Sequence, residues 1–489
     1  MKAADIFKDK NFINCLKSNT FDKKGNRIKI FINESKIIEE NINKVIKIDC
    51  SNYRIINIKG LSIFKNLEIL DLSHNLIEEL LEEIWNLKNL KILKLSNNLI
   101  RKILNEIEKL KNLEILDLSD NEIEELPNEI GNLTNLKELN LFHNQLKEIP
   151  KEIGELKNLE VLNLGYNQIE NLPNEIGKLE KLKRLSLSEN QIKQIPKEIG
   201  NLENLKKLEL SYNQMEELPE EIWKLKNLEI LNLKNNKLQW LSKKIGNLKN
   251  LKELCLSNNK IKNLPEGIES LINLEYFGLS WNYLQFLPKK IGNLKNLKKL
   301  YLFYNQIEEI PKEIWKLINL KELNLSHNQL KELPKEIGQL KNLKELNLNN
   351  NQIEKIPSEI GKLENLKILK LSNNKIKELP KEIWNLNNLE KLYLKNNKLQ
   401  WLPKEILKLS KLKWLSLKKA FDLDNLKQKS EELLYILQKL ENKNVLISID
   451  LNYLKGKVYP ILKEKIKEKY RIKDLKQIKD NLNIDNLSF

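Results

Sequence analysis

Fifteen asparagines, from Asn75 to Asn397, recur at an interval of 23 residues without insertion or deletion. Each closes the phrase L-x-x-L-x-L-x-x-N, with Phe277 in place of the middle leucine in the unit of Asn282. A fixed period of this length constrains the chain to a stack of like units, each covering the apolar face of its neighbour. One unit reads LEILDLSDNEIEELPNEIGNLTN, from Leu113 to Asn135. The alternation around Leu116 and Leu118 predicts a short strand. After Asn121 come Ile123, Leu126, Ile130 and Leu133, at spacings of 2 to 4 residues. That spacing sustains no long helix and predicts a turn or 3-10 return segment. Twelve of the thirteen prolines occupy the position of Pro127. Their fixed φ suits a tight turn there, and their missing N–H stops the strand from continuing.

The LPxEIGxLxNL phrase, as in Leu172-Pro173 through Leu179 and Leu333-Pro334 through Leu340, makes this repeat similar to the 23-residue class of leucine-rich repeats. That class occurs in intracellular Ras-group and Scribble-type scaffolds and in bacterial proteins, and the resemblance covers residues 45–420. It implies an α/β fold: a right-handed solenoid, or horseshoe, with a concave parallel β-sheet and short 3-10 or turn segments on the convex side. It also implies that each repeat asparagine bonds backbone groups of neighbouring turns. The physical reason is that inward-facing backbone polar groups after a buried strand must be paired.

The expected organisation has three parts. Residues 1–44 lack the repeat and are read as an N-terminal cap. Residues 45–420 form the solenoid: one degenerate 22-residue unit, fifteen 23-residue units and a terminal half-unit. The degenerate unit carries Tyr53 at the asparagine position. Its Cys50 stands at a core leucine position and is read as a buried structural thiol. Residues 421–489 are read as a C-terminal cap and a basic helical extension, with an amphipathic helix from Leu423 to Leu440, a strand from Val445 to Ile449 and a second helix over 461–480.

The formal net charge is +17. Most charges alternate in sign, as in Lys147-Glu148 and Lys331-Glu332, which describes a solvated face better than a polyanion site. Three cysteines without the clustering of disulfide-capped repeat proteins, and a start without an apolar stretch, give a cytoplasmic expectation, with signal-independent export as the alternative. No P-loop, G-x-S-x-G, H-E-x-x-H or kinase phrase occurs. The reading is therefore a non-enzymatic chain with no cofactor and no metal. His74, His143 and His327 all precede a repeat asparagine, three and eight repeats apart, too far to share one ion. They read as surface hydrogen-bonding groups. Cys255 faces outward from its strand, with no neighbouring histidine to activate it.

A scaffold that holds a protein or peptide on its concave face is the leading expectation. Outward strand positions are mostly polar, except at Tyr276, Trp281, Tyr301, Phe303 and Tyr304, expected to form one patch. A smaller set, Phe142, His143, Tyr166 and Tyr212, lies earlier. Grouped exposed aromatics mark interfaces. The alternative reading is an effector or regulator that holds nucleic acid or anionic membrane through its basic surface, above all residues 455–479. Trp85, Trp223, Trp315 and Trp384 replace the glycine of EIG, and Trp240 and Trp401 precede the leucine of LP. All six are read as packing between turns.

Overall fold

The computed structural model describes residues 2–32, 36–422 and 430–449. The chain forms two compact units, Met1–Leu297 and Lys298–Phe489. Both are built from the expected alternation of parallel three-residue strands and five-residue 3-10 segments.

In the first unit, eleven parallel strands run from Lys47–Asp49 to Tyr276–Gly278. Their register is one repeat per strand, so that Leu162 pairs with Leu185 and Leu185 with Leu208. The middle residue of each strand is buried and the outer ones are mostly half-exposed, as in Glu138–Asn140 and Val161–Asn163, as a period of two requires. The 3-10 segment Asn128–Asn132 shows how each unit returns. Pro127, at φ −69° and ψ 150°, ends the extended run, and its carbonyl accepts the Ile130 N–H at 3.1 Å. The core lies between strand and return segment: Leu116, Leu118, Ile123, Ile130, Leu133 and Leu136 are all buried.

The asparagine ladder is present and its wiring is explicit. Asn121 Nδ2 donates to Leu118 O at 3.0 Å in its own turn and to Leu95 O at 3.0 Å in the turn before. Its Oδ1 accepts the Ile100 N–H at 3.1 Å. A second ladder, exposed and not foreseen, runs along the far bend. Asn135 Nδ2 donates to Lys111 O at 2.9 Å, and Asn158, Asn204 and Asn227 repeat the bond to the preceding turn. The glycine of EIG sits where turns touch: a Cβ on Gly200 would stand 2.6 Å from the Glu221 backbone oxygen.

At the N-terminal end the helix Lys10–Leu16 starts on Asp9, whose Oδ1 accepts the N–H of Asn11 and Phe12. Asp9 Oδ2 accepts the Ile56 and Asn57 N–H groups at 2.7 and 3.1 Å, tying that helix to the first repeat. The strand Thr20–Phe21 pairs antiparallel with Lys47–Asp49. Phe7 packs against Phe12, Phe31 and Phe64. Cys50 is buried as expected, but it is no thiol: it forms a disulfide with Cys15. A sequence separation of 35 leaves no clustering of cysteines to mark the pair.

In the second unit, six parallel strands from Lys299–Tyr301 to Trp414–Ser416 also pair one repeat per strand. The strand Leu446–Ser448 adds to Trp414–Ser416, also parallel. The helix here spans Ser430–Glu441, and residues 423–429 lie outside the described ones. It buries Leu433, Ile436 and Leu440. Lys443 Nζ donates to Leu407 O at 2.7 Å, fixing this element to the last 3-10 segment. The expected second helix over 461–480 lies outside the described residues. Among the described residues no helix is long and apolar enough to cross a membrane.

Candidate interaction site

Each strand and its exit turn present outward positions in fixed columns. The first and third strand residues, Lys299 and Tyr301 for example, are half-buried, because neighbouring strands shoulder them. The residue before each repeat asparagine is different. From His74 to Lys419 it holds φ between 50° and 58° in every repeat, the left-handed region. Asn97, Asn235, Asn258, Asn350, Asn373, Asn396 and Asp120 suit that region, since their short polar side chains bond locally. Tyr166, Tyr212, Trp281 and Tyr304 do not. They carry bulky rings at φ 54–56° and leave 37–48 % of their surface exposed. Such strain, about 1 kcal/mol or more per residue, persists only where something compensates for it.

The five rings expected to form one patch divide between the units. Tyr276 and Trp281 belong to the first, where Tyr276 is half-buried on its strand and Trp281 is exposed. Tyr301, Phe303 and Tyr304 belong to the second. There Phe303 and Tyr304 meet edge to face at 6.1 Å, and Tyr304 stacks on His327 at 3.8 Å with 13° between the planes. His327 Nε2 faces Asn350 Nδ2 at 2.8 Å, which requires that nitrogen to be unprotonated. Burial holds its pKa below the ordinary histidine value. His327, taken from the sequence as a plain surface group, is thus the floor of the ring cluster.

Beside this cluster lies a shallow pocket of about 240 Å³, lined by Tyr301, Phe303, Glu322, Leu323, Asn324 and Glu345. The Tyr301 hydroxyl donates to Glu322 Oε2, and Lys299 Nζ stands 2.9 Å from Glu322 Oε1. Burial works to raise the Glu322 pKa, but these two partners outweigh it and keep the carboxyl below its usual value. Glu345 Oε1 pairs with Lys370 at 2.7 Å.

In the earlier set, Phe142, His143 and Tyr166 form one cluster, with ring centroids 5.0 to 6.1 Å apart. His143 Nδ1 lies 2.8 Å from Asp120 Oδ1. Tyr212 stands two repeats beyond Tyr166 and, among the described residues, touches no other ring; Lys234 Nζ lies 5.2 Å from its centroid.

The tryptophans separate into two kinds. Trp85, Trp223, Trp315 and Trp384 are buried as expected, at 2 % exposure or less. Trp240 and Trp401 are not packed between turns: they are 52 % and 37 % exposed. Their position precedes the buried leucine of the return segment, so alternation turns the ring to solvent. Phe286 holds the same column at 62 % exposure. A further pair went unread in the sequence: Tyr393 and Trp414 meet at 6.4 Å on outward positions of neighbouring strands. Counting those two columns through to the last repeat would have found them. Cys255 is partly exposed, its Sγ 3.9 Å from Ser257 Oγ. The basic run 455–479 lies outside the described residues. Among the described residues no group of His, Cys, Asp or Glu is arranged to hold a metal ion.

Comparison with known proteins bears on what such a surface belongs to. A family model described as a leucine-rich repeat region matches residues 47–142, 128–212, 176–266, 312–371 and 358–455. A second, for the leucine rich repeat, matches residues 272–330. No curated protein matches the chain. Among solved structures, a leucine-rich repeat protein of Leptospira interrogans is 40 % identical. The match covers 84 % of this chain and 97 % of that one, at a TM-score of 0.72. The plant peptide hormone receptor RGFR1 in complex with RGF2 is 32 % identical over 73 % of this chain and 63 % of its own, at 0.62. The functional domain of InlJ from Listeria monocytogenes, which includes a cysteine ladder, is 21 % identical over 78 % and 74 %, at 0.62, and shares the fold.

Proposed function

Because this chain belongs to the leucine-rich repeat family, a right-handed solenoid fold, we propose that it is a non-enzymatic scaffold that binds a protein or peptide on the outward face of its strands. One observation carries the reading. Exposed Tyr304 and half-buried Phe303 and His327 form a ring cluster, and Tyr304 takes a left-handed conformation that local energetics would assign to asparagine. A ring kept at that cost, beside a pocket, is what a binding hot spot requires. The solved structure of a peptide hormone receptor in complex with RGF2, similar over much of this chain, is consistent with a peptide ligand. The test is selection of displayed random peptides on the intact chain. Selected peptides should bind Tyr304→Asn and Phe303→Ser at least tenfold more weakly than wild type, with the fold unchanged by circular dichroism. Peptides that bind both variants as well as wild type would refute the site.

The Cys15–Cys50 disulfide supports a second part of the proposal: the chain works in an oxidising compartment, not in the cytoplasm expected from its cysteine count. Thiol trapping in the source cells decides it. One reactive thiol after denaturation, from Cys255, fits that compartment; three would place the protein among reduced ones.

A further inference from the structure

We infer that the pocket beside the ring cluster of the second unit receives a cationic side chain, arginine or lysine, presented by the peptide partner. This rests on the scaffold reading above and adds to it the chemistry of the ligand. Three neighbouring strands contribute. Tyr301 and Phe303 supply aromatic walls, Leu323 lies at the base, and Glu322 and Glu345 supply carboxylates from equivalent outward positions of adjacent strands, with Asn324 completing the lining. Aromatic rings beside carboxylates form an environment that a guanidinium or ammonium group prefers, since ring faces and anions both attract it. An anionic side chain would meet the two carboxylates and be repelled.

The lysines that already touch these carboxylates do not fill the pocket. Lys299 and Lys370 approach from outside its lining, each taking one oxygen, Oε1 of Glu322 and Oε1 of Glu345. A carboxylate accepts about four hydrogen bonds, so a further donor has room at each. The Tyr301 hydroxyl, bonded to Glu322 Oε2, orients that carboxylate and keeps it ionised, as its lowered pKa records. Both glutamates remain close to 30 % exposed, open to a ligand yet shielded enough that the attraction is not lost to solvent. Pocket size agrees: about 240 Å³ holds one long side chain and no folded element.

The same display selection tests this with a separate readout. Peptides that bind in a Tyr304-dependent way should share an arginine or lysine. Replacing that residue in a synthetic peptide with citrulline or norleucine should weaken binding to the intact chain at least tenfold. Glu345→Gln should cause a like loss for the original peptide, and only a small additional one for the neutral peptide. Glu322→Gln serves as the second variant should the first disturb the strand. Binding should also fall as salt rises from 50 to 500 mM. Tyr304-dependent peptides without a basic residue, or unchanged affinity after the citrulline swap, would overturn the cation site and leave the scaffold proposal standing. A selection returning no Tyr304-dependent peptide would remove both.

Discussion

Replacing Asn213 by leucine isolates what the buried ladder contributes. Asn213 Nδ2 donates to Leu187 O at 2.9 Å, Leu210 O at 3.2 Å and Ser211 O at 3.3 Å, and its Oδ1 accepts the Ile192 N–H at 3.0 Å. These four bonds are not equal losses. Leu187 O keeps the Asn190 amide at 3.1 Å, Leu210 O keeps that of Asn236 at 2.9 Å, and Ser211 O keeps the Glu189 N–H at 2.9 Å. Among the described residues the Ile192 N–H alone has no second partner. Orphaning one buried N–H costs about 1–3 kcal/mol, and the net worth of the other bonds brings the expected loss to about 2–4 kcal/mol. Asn204→Ala removes only an exposed bond, to Glu180 O at 2.8 Å, and should cost less than about 0.5 kcal/mol. Urea unfolding followed by far-UV circular dichroism compares them, and amide exchange at Ile192 locates the damage, since repeat arrays lose stability locally. Faster exchange at Ile192 in Asn213→Leu, and none in Asn204→Ala, is expected. Equal midpoints and equal exchange would refute the idea that the inward N–H, rather than the mere presence of a ladder, sets the cost. Asn213→Asp adds a sign test. Its carboxylate would face three carbonyl oxygens, so its folded pKa is raised, and the protein should be weaker at pH 7 and recover as pH falls through that raised value.

Three other outcomes follow from particular contacts. Gly200→Ala places a methyl 2.6 Å from the Glu221 oxygen and 2.7 Å from its Cβ, and should cost about 1–3 kcal/mol by urea melt; a neutral result would show that the turns slide freely. Glu189→Asn relieves a left-handed glutamate at φ 58° and should raise stability by about 0.5–1 kcal/mol, measured the same way; a loss would remove the strain argument applied to Tyr304. Burial holds the folded pKa of His327 below the ordinary histidine value of 6.5, so the stability it contributes is present above pH 6.5 and lost as pH falls through the lowered folded value. The midpoint of wild type minus that of His327→Asn should therefore fall between pH 7.5 and 5, and a constant difference would show that burial does not hold the ring neutral.

The repeat, its register and the existence of a buried ladder were legible in the sequence, because a fixed period of 23 residues leaves one way to stack leucines at fixed columns. Strand Ile115–Asp117, return segment Asn128–Asn132 and the inward role of Asn121 all follow from the spacing within one unit. What the spacing could not fix depends on distances across the chain or on backbone dihedrals. Cys15 and Cys50 pair because the helix Lys10–Leu16 folds back on the first repeat, and nothing local to either cysteine records that approach. Asn235 reads as an ordinary exposed residue in sequence, yet its φ of 54° makes it the favoured type for its position and Tyr304 the strained one. Trp240 and Trp223 look alike as repeat tryptophans; one column faces solvent and the other the core. The stacking of Tyr304 on His327, and the carboxylate that Tyr301 holds beside them, were decided only when successive turns came into register, because neighbours 21 to 23 residues apart in sequence touch only through the tertiary stack.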